Sequence, residues 1–585
     1  MCGIGGTTEG ETDAKRISAR IKRRGPDMQG LRATPSISLC HRRLSIIDLS
    51  ARGKQPLRHK HLTITYNGEI YNYRELAASH FPGEKLEKGC DTEVLIRLYA
   101  KYGEACLPLL RGMWAFAIYD EKKQELFLAT DRFGKKPVYY EYQAPGNIVK
   151  SSRTAKSNRG TPGHPVFRFA SEARALLRGT ETINQQALDT YLELGVIAAP
   201  HSIWNEIRKL EPARWMRFSL KTGARTDGIH WTPYTTNFTR SYESAVEELR
   251  GLLDASVRYR MIADVPVGCF LSGGVDSSVI SAIAHAQRAA HGEKLHTFSI
   301  GFADLKYDES KYSKPVADAI GTTHHHREAS VKELAQVFTK LPQIYSEPFA
   351  DSSALPTYLV SKLAREHVTV SLSGDGADEL FGGYRTYNHA RRLQIINKSP
   401  LRPLLPKHLR GVAAQSYAGL LGASRSSLTF NGALHAQASG DWVQKLARAD
   451  IAHYLPADIL TKVDRASMAH ALEVRCPFLD HDVARFGLSL PAKFKITQPV
   501  PLLKFVNKRI LKDAYRTELP SVIFDRPKQG FSIPEPELLT ELGARTIDWE
   551  ALGRPKAPTQ AKTYREYVLA DWAQAHRKNT IIEEI

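Results

Sequence analysis

Residues 265–271 of this 585-residue chain form an unbroken apolar run. Ser-Gly-Gly-Val-Asp-Ser-Ser follows at positions 272–278, and helical text resumes over Ser278–Arg288. An apolar run closed by a Gly/Ser turn and a helix reads as a strand buried on both faces, which a sheet flanked by helices can bury. The pattern returns at Leu295–Phe302, followed by helical Glu309–Ile320 with Gly321 as its C-cap, and again at Val368–Leu372. Strand–helix alternation of this kind predicts a mostly parallel, doubly wound sheet. Another helix is expected over about Tyr242–Arg260, and the text after about Ser399 reads as mainly helical.

The chain before about Arg178 reads differently. Short runs rich in aromatic and β-branched residues (Ser36–Leu39, Leu62–Tyr66, Met113–Tyr119, Glu125–Ala129) alternate with turns, and Thr92–Tyr102 carries Val94, Leu95, Leu98 and Tyr99 on one helical face. This half is expected to be a layered α/β domain with antiparallel sheets. Residues from about Gln185 to Arg240 read as connective. Lys150–Arg168 holds Ser, Gly, Pro and basic residues without an acid, and reads as a solvated loop or insertion. No aromatic residues interleave there to support base stacking.

Lys plus Arg number 81 against 62 Asp plus Glu, a formal charge of +19 that favours anionic ligands without choosing among them. The six cysteines (Cys2, Cys40, Cys90, Cys106, Cys269, Cys476) lie far apart with no CxxC pair, a spacing that suits neither a disulfide framework nor a zinc site. No apolar stretch suggests a membrane span, and Met1–Gly6 lacks the features of a secretory signal. A reducing cytoplasm is the expected setting.

Two places carry chemistry. Removal of Met1 would leave Cys2 first, with its own α-amine beside its thiol. That amine titrates near pH ~7.7–8.0, so its neutral form can take the thiol proton and leave a nucleophile for acyl transfer. Arg43, in His41-Arg42-Arg43-Leu44-Ser45-Ile46-Ile47-Asp48, could fork onto a carboxylate. Asn67-Gly68, between aromatic strand runs, reads either as a hairpin turn or as an oxyanion hole. Asp91 reads as a helix N-cap or as a partner for an ammonium group. The second place is the 272–278 loop. Its glycines let backbone N–H groups approach phosphate oxygens, the following helix N-terminus favours anions, and Ser272, Ser277 and Ser278 supply hydroxyls. Asp276 facing a pyrophosphate implies a bridging Mg²⁺. The loop is not GxxxxGK[ST], which disfavours γ-phosphate transfer. Ser373-Gly374-Asp375-Gly376-Ala377-Asp378-Glu379, after the third buried run, adds further glycines and carboxylates.

Met1–Gly6 (MCGIGG), Arg23–Asp27 (RRGPD), His41–Asp48 (HRRLSIID), Tyr66–Asn72 (YNGEIYN), Cys90–Leu95 (CDTEVL), Arg111–Asp120 (RGMWAFAIYD) and Asp131–Tyr140 (DRFGKKPVYY) occur in this order. They closely resemble the glutaminase domain of class II amidotransferases, the N-terminal-nucleophile hydrolases. SGGVDSS resembles the PP-loop of enzymes that split ATP into AMP and pyrophosphate. Together with Lys462–Met468, Glu473–Asp480 and Arg526–Phe531, the chain resembles the glutamine-hydrolysing asparagine synthetases over nearly its whole length, the 150–168 segment apart. The resemblance implies an Ntn-hydrolase αββα sandwich over residues 2–190 and a doubly wound α/β PP-loop domain with a helical tail over residues 205–585.

It further implies that Cys2 attacks the glutamine amide while Asn67 and Gly68 hold the oxyanion. Arg43, Leu44, Ser45, Ile46, Ile47, Asn67, Gly68, Glu69 and Asp91 would bind glutamine. Leu271, Ser272, Gly273, Gly274, Asp276, Ser277, Ser278, Ile300, Ser373, Gly374 and Lys508 would bind ATP, with Asp276 on the Mg²⁺ of the pyrophosphate. Asp375 would stabilise the transition state or take a proton from ammonia. The substrates implied are glutamine, ATP and a carboxylate, with a homodimer as the family habit and no membrane or nucleic-acid partner. Aspartate is the expected acceptor. Where some members carry a Thr-Thr-x-Arg pattern, however, this chain has Ser352-Ser353-Ala354-Leu355, and Asp375 stands where some carry Glu. The same chemistry on another carboxylate, such as a uronic acid or a secondary metabolite, therefore stays open. An inactive binding homologue would lack catalytic residues, whereas Cys2, Asn67, Asp91, Ser272 and Asp276 are all present. His324-His325-His326 on a strand would point to alternate faces and cannot all ligate one ion, so they are expected at a surface or sheet edge.

Overall fold

The structure is a computed structural model, and residues 2–143, 165–233, 237–302, 308–398, 441–497, 505–525 and 531–583 are described. The N-terminal half is built from twelve strands: β1 (Gly3–Thr7), β2 (Met28–Ala33), β3 (Ser38–Arg43), β4 (Leu57–His59), β5 (Leu62–Ile70), β6 (Gly112–Asp120), β7 (Glu125–Thr130), β8 (Tyr139–Gln143), β9 (Val166–Ala170), β10 (Ile207–Lys209), β11 (Arg214–Ser219) and β12 (Arg225–Ile229). They form two six-stranded sheets, in the orders β10-β8-β9-β1-β3-β2 and β12-β11-β7-β6-β5-β4. Every pairing in them is antiparallel.

Side-chain alternation along β6 explains the layering. Trp114, Phe116 and Ile118 pack with Val94, Leu95 and Leu98 of the helix Asp91–Tyr102. Ala115, Ala117 and Tyr119 face the other sheet, against Ile4, Leu39 and Phe169. A period of two with both sets apolar places this strand between two layers. The helix Glu11–Arg20 covers the outer face of the first sheet through Ile17, which packs with Cys40. The result is the expected αββα sandwich.

Three sequence expectations give way here. Asn67-Gly68 forms no hairpin: both residues lie inside β5, which pairs with β6 from Leu62↔Asp120 to Ile70↔Gly112. The dipeptide signature fails because long-range pairing with β6 overrides a local turn preference. The 185–240 region is not merely connective, since β10 joins the first sheet and β11 and β12 the second. Of the basic segment, residues 150–164 lie outside the described residues, but its end is no solvated loop. Arg168 is fully buried in β9 and donates to Asp13 at 2.9 Å and to Glu141 at 2.6 Å. Those acids are remote in sequence, so local composition could not reveal them. The first part of the tail, residues 399–440, also lies outside the described residues.

Among the described residues the second half holds a sheet of five parallel strands, β13 (Val267–Phe270), β14 (His296–Phe302), β15 (Thr323–Ala329), β16 (Val370–Leu372) and β17 (Glu473–Arg475), in the order β15-β14-β13-β16-β17, and a small antiparallel pair, Thr546–Ile547 with Thr559–Gln560. The helices Tyr242–Arg260 and Val275–Ala289 pack with Val267, Cys269, Val370 and Leu372 in one core. The helix Ala354–Arg365 packs with Phe298, Ile300 and Val474 in another. Strand order runs outward in both directions from β13, which makes the C-terminal ends of β13 and β16 a topological switch point. The histidines fall on β15, the edge strand. His324 and His326 meet Ser299 Oγ at 3.0 and 2.8 Å, while His325 meets His296 at 2.9 Å. Among the described residues, no helix is long and apolar enough to cross a membrane.

The halves are locked by buried ion pairs. Arg24, with no exposed surface, donates to both carboxylate oxygens of Asp464 at 2.8 and 2.9 Å. Arg111 grips Asp480 in the same forked manner at 2.8 and 2.7 Å. Asp464→Asn should destabilise the protein by about 3–5 kcal/mol, because Arg24 is left buried with half its charge unanswered; a urea midpoint that does not move would contradict this. Burial alone would raise the Asp464 and Asp480 carboxyls, but Arg24 beside the first and Arg260 with Arg111 beside the second hold both below the ordinary range. Their contribution is thus complete above the unfolded value of about 3.9 and is lost as pH falls through the lower folded values. Stability measured from pH 5 down to pH 2 should fall more gradually in Asp464→Asn than in the parent.

Candidate active site

The first centre gathers at the start of β1. Cys2 is almost buried, its backbone N–H donates to Asn67 Oδ1 at 2.9 Å, and its thiol faces the Leu44 carbonyl oxygen at 3.9 Å. Burial pushes the thiol up from its ordinary value. Asn67 is fully buried, and its amide nitrogen Nδ2 has no hydrogen-bond partner. A buried amide donor without an acceptor among the described residues, on the residue that holds the Cys2 backbone, is the kind of group that receives an oxyanion. Gly68 has φ +151°, and a Cβ there would lie 2.1 Å from the Met113 carbonyl oxygen, so β5 and β6 approach closely only because the residue is glycine.

Other expected glutamine-site residues are placed less directly. Arg43 meets no carboxylate among the described residues: it donates to the carbonyls of Ser50 at 2.7 Å, Ile47 at 3.1 Å and Asp48, and so shapes the loop after β3. Ser45 N–H is held by Asp27 at 2.7 Å, and the Ile46 carbonyl by Asp264 N–H at 2.8 Å. Leu44 and Ile46 reach into the core of the second half beside Leu253 and Val257. Asp91 opens the helix Asp91–Tyr102 and accepts from Tyr66 Oη at 2.8 Å, Ile70 N at 3.1 Å and Thr92 N at 2.7 Å, tying β5 to that helix. Glu69 is buried, and burial together with the Glu473 and Asp91 charges raises its carboxyl well above the ordinary range. The loop-shaping role of Asp27 and the contact from Arg24 Nε to the Cys2 carbonyl at 3.2 Å were not legible in sequence, where Arg23–Asp27 stood only as one of the motifs of the resemblance.

The second centre is a cleft of about 1480 Å³ at the switch point. Of the expected ATP-site residues, Leu271, Ser272, Gly274, Asp276, Ser277, Ile300, Ser373, Gly374 and Lys508 line it, together with Asp375. Gly273 and Ser278 complete the loop without lining the cleft. Gly273 has φ +69°, where a Cβ would strike the Tyr312 backbone at 2.4 Å, and the Ser278 hydroxyl is buried without a partner at the first turn of the helix. A Cβ on Gly374 would fall 2.9 Å from Asp276 Cβ and 3.0 Å from Ser277 N, so the two glycine loops touch. Gly374→Ala should therefore press them apart. An overpacking cost of about 1–3 kcal/mol, if it falls on the bound state, corresponds to a rise of about 5- to 150-fold in the Kd for ATP, readable by calorimetry. Lys508 Nζ bridges Asp276 and Asp378, the latter at 2.7 Å, and these acids raise its ammonium pKa despite burial. Asp375 accepts from Ser373 Oγ at 2.7 Å, and burial raises its carboxyl.

The Lys462–Met468 and Glu473–Asp480 segments, which singly read as solvated text, are buried instead. Arg465, Glu473, Arg475 and Asp480 expose 2 % or less of their surface: Arg465 pairs with Glu172 and Asp480 with Arg111, both distant in sequence, while Glu473 and Arg475 pair with each other along β17. Residues 526–530 of the Arg526–Phe531 segment lie outside the described residues.

A buried cysteine held by an amide whose own donor is vacant among the described residues, and a phosphate-type loop at the switch point of a parallel sheet, fit a glutamine-dependent ligase that uses ATP. The chain belongs to the asparagine synthase family. That family's model matches residues 248–581, and the model of the glutamine amidotransferase domain matches residues 1–231. The chain is 38 % identical over 445 residues to a protein of Methanocaldococcus jannaschii named putative asparagine synthetase [glutamine-hydrolyzing] 2, covering 71 % of this chain and 80 % of that one. It is 30 % identical to asparagine synthetase [glutamine-hydrolyzing] 1 of Bacillus subtilis, over 97 % of this chain and 92 % of that one. With asparagine synthetase B [glutamine-hydrolyzing] of Escherichia coli the identity is 27 %, over 91 % of this chain and 82 % of the other.

Proposed function

We propose that the protein converts L-aspartate, L-glutamine and ATP into L-asparagine, L-glutamate, AMP and pyrophosphate. The observation that carries this reading is the pairing, in one chain, of the Cys2–Asn67 centre with the glycine loops of the ATP cleft. In the first centre the Cys2 sulfur attacks the glutamine amide carbon. Asn67 Nδ2 and the Gly68 N–H receive the oxyanion, ammonia leaves, and water cleaves the thioester to glutamate. In the second, a carboxylate oxygen of aspartate attacks the α-phosphorus of ATP and pyrophosphate departs. Ammonia then attacks the acyl carbon of the resulting anhydride, Asp375 takes a proton from the incoming nitrogen, and AMP leaves. Every expected glutamine-site residue lies within 2–190 and every expected ATP-site residue within 205–585, which is the division of labour proposed.

The carboxylates of Asp276 and Asp378 converge on Lys508, and oxygen donors of this kind suit a hard divalent cation. These two residues would hold Mg²⁺, which supplies charge neutralisation at the phosphates when bound. The reading is tested by pyrophosphate release with ATP, Mg²⁺ and glutamine. Strong dependence on aspartate, with asparagine formed, supports it; no response to aspartate alongside turnover of another acid would overturn the acceptor assignment. Asn67→Ala should lower glutamine-driven kcat by about 10²–10³, the usual cost of one oxyanion donor, and leave ammonia-driven synthesis at the parent rate.

A further inference from the structure

Within the cleft, Asp351, Ser353, Asp458 and Lys462 form a second cluster of charged and polar side chains, none of them from the 272–278 loop. Asp351 is fully engaged there: it accepts from Lys462 Nζ at 2.8 Å, Ser353 Oγ at 2.6 Å and Ser353 N at 2.9 Å. Lys462 also donates to Ser353 Oγ at 2.8 Å. Asp458 stands beside this pair with 9 % of its surface exposed, and its Oδ1 is buried with no hydrogen-bond partner. One ammonium thus serves two carboxyl groups, and Asp375 adds a third acid within its field. Asp458 also hydrogen-bonds with Asp351, and burial together with the Asp351 charge raises its carboxyl well above the ordinary range, so a proton occupies the place that an entering cation would take.

The backbone is specialised to form this cluster. Asp450–Leu460 is a π-helix containing Pro456, and it continues into the helix Thr461–Met468. The wider π turn sets Tyr454, Asp458 and Lys462 on the wall of the cleft. Among the substrates, ATP and pyrophosphate are anionic, and the carboxylates suited to their metal, Asp276 and Asp378, are gathered elsewhere on Lys508. The cationic group left to meet this cluster is an amino group on the acceptor.

We propose that Asp458 is a specificity-determining residue that receives the ammonium group of the acceptor, so that the enzyme takes amino-acid carboxylates and refuses acids without an amine. This rests on the reading that the acceptor is activated in this cleft. An acceptor lacking the amine leaves the buried Asp458 Oδ1 without a partner, the situation in which sites discriminate most strongly.

The test compares aspartate with succinate, which differs by loss of the amine, through pyrophosphate release by the full-length enzyme. The parent should favour aspartate by at least about 100-fold in kcat/KM. Asp458→Asn should shrink that ratio at least about ten-fold, and Asp458→Glu should keep more of it, both with melting temperatures close to the parent's. Equal use of succinate and aspartate by the parent overturns the proposal without any variant. So does an unchanged ratio in Asp458→Asn with a raised Mg²⁺ requirement, which would make the carboxylate a metal ligand. If aspartate is inert and another acid is turned over, the aspartate reading fails, and the same comparison is made with that acid. Loss of turnover on removing its amine supports the proposal, whereas an acceptor with no amine overturns it.

Discussion

Cys2→Ala is expected to abolish glutamine-driven amide formation and to leave ammonia-driven formation intact. The Cys2 backbone N–H is held by Asn67 and its thiol faces the Leu44 carbonyl, and truncation to Ala removes one buried sulfur without disturbing the β1–β3 pairing that positions it. Deleting a covalent nucleophile costs on the order of 10⁶ in rate in well-studied cases, so glutamine hydrolysis should fall by at least about a thousand-fold. Free ammonia bypasses that centre, because the ATP cleft lies at the C-terminal ends of β13 and β16 in the other half. Parallel assays with glutamine and with ammonium chloride read the two outcomes. Loss of both would mean that Cys2 has a structural role at the domain junction.

The second large effect falls on the other centre. Asp276→Ala should cut acceptor-dependent pyrophosphate release by at least about 100-fold, while glutamine hydrolysis remains measurable. The carboxylate sits at the first turn of the helix Val275–Ala289 and meets Lys508, so its removal takes away a proposed metal ligand and leaves the lysine on Asp378 alone. Pyrophosphate release that survives this change would remove the 272–278 loop from the reaction.

These two centres differ in how far the sequence exposed them. The ATP loop is a local object: strand, glycine turn and helix are contiguous, and each expected residue from Leu271 to Ser277, Gly273 apart, lines the cleft. The glutamine centre is assembled from residues far apart in the chain. Sequence named Asn67-Gly68 as either turn or oxyanion hole, and the β5–β6 register, a contact across some fifty residues, decided against the turn. Arg43, expected to bind the carboxylate of glutamine, donates to the carbonyls of the loop that follows it, a contact that no local pattern announced.

By itself the sequence determined the local objects: the buried parallel strands and the glycine loop between strand and helix, each encoded in a few adjacent residues through period, turn chemistry or side-chain type. Only the tertiary structure decided which charges are buried and with whom. Arg24 with Asp464, Arg168 with Asp13 and Glu141, and Lys462 with Asp351 are pairs between residues 27 to 440 positions apart. A lone Arg or Asp in the text reads as a solvated surface group, since burying an unpaired charge is prohibitively costly. Its partner, and therefore its role, exists only once the chain has folded.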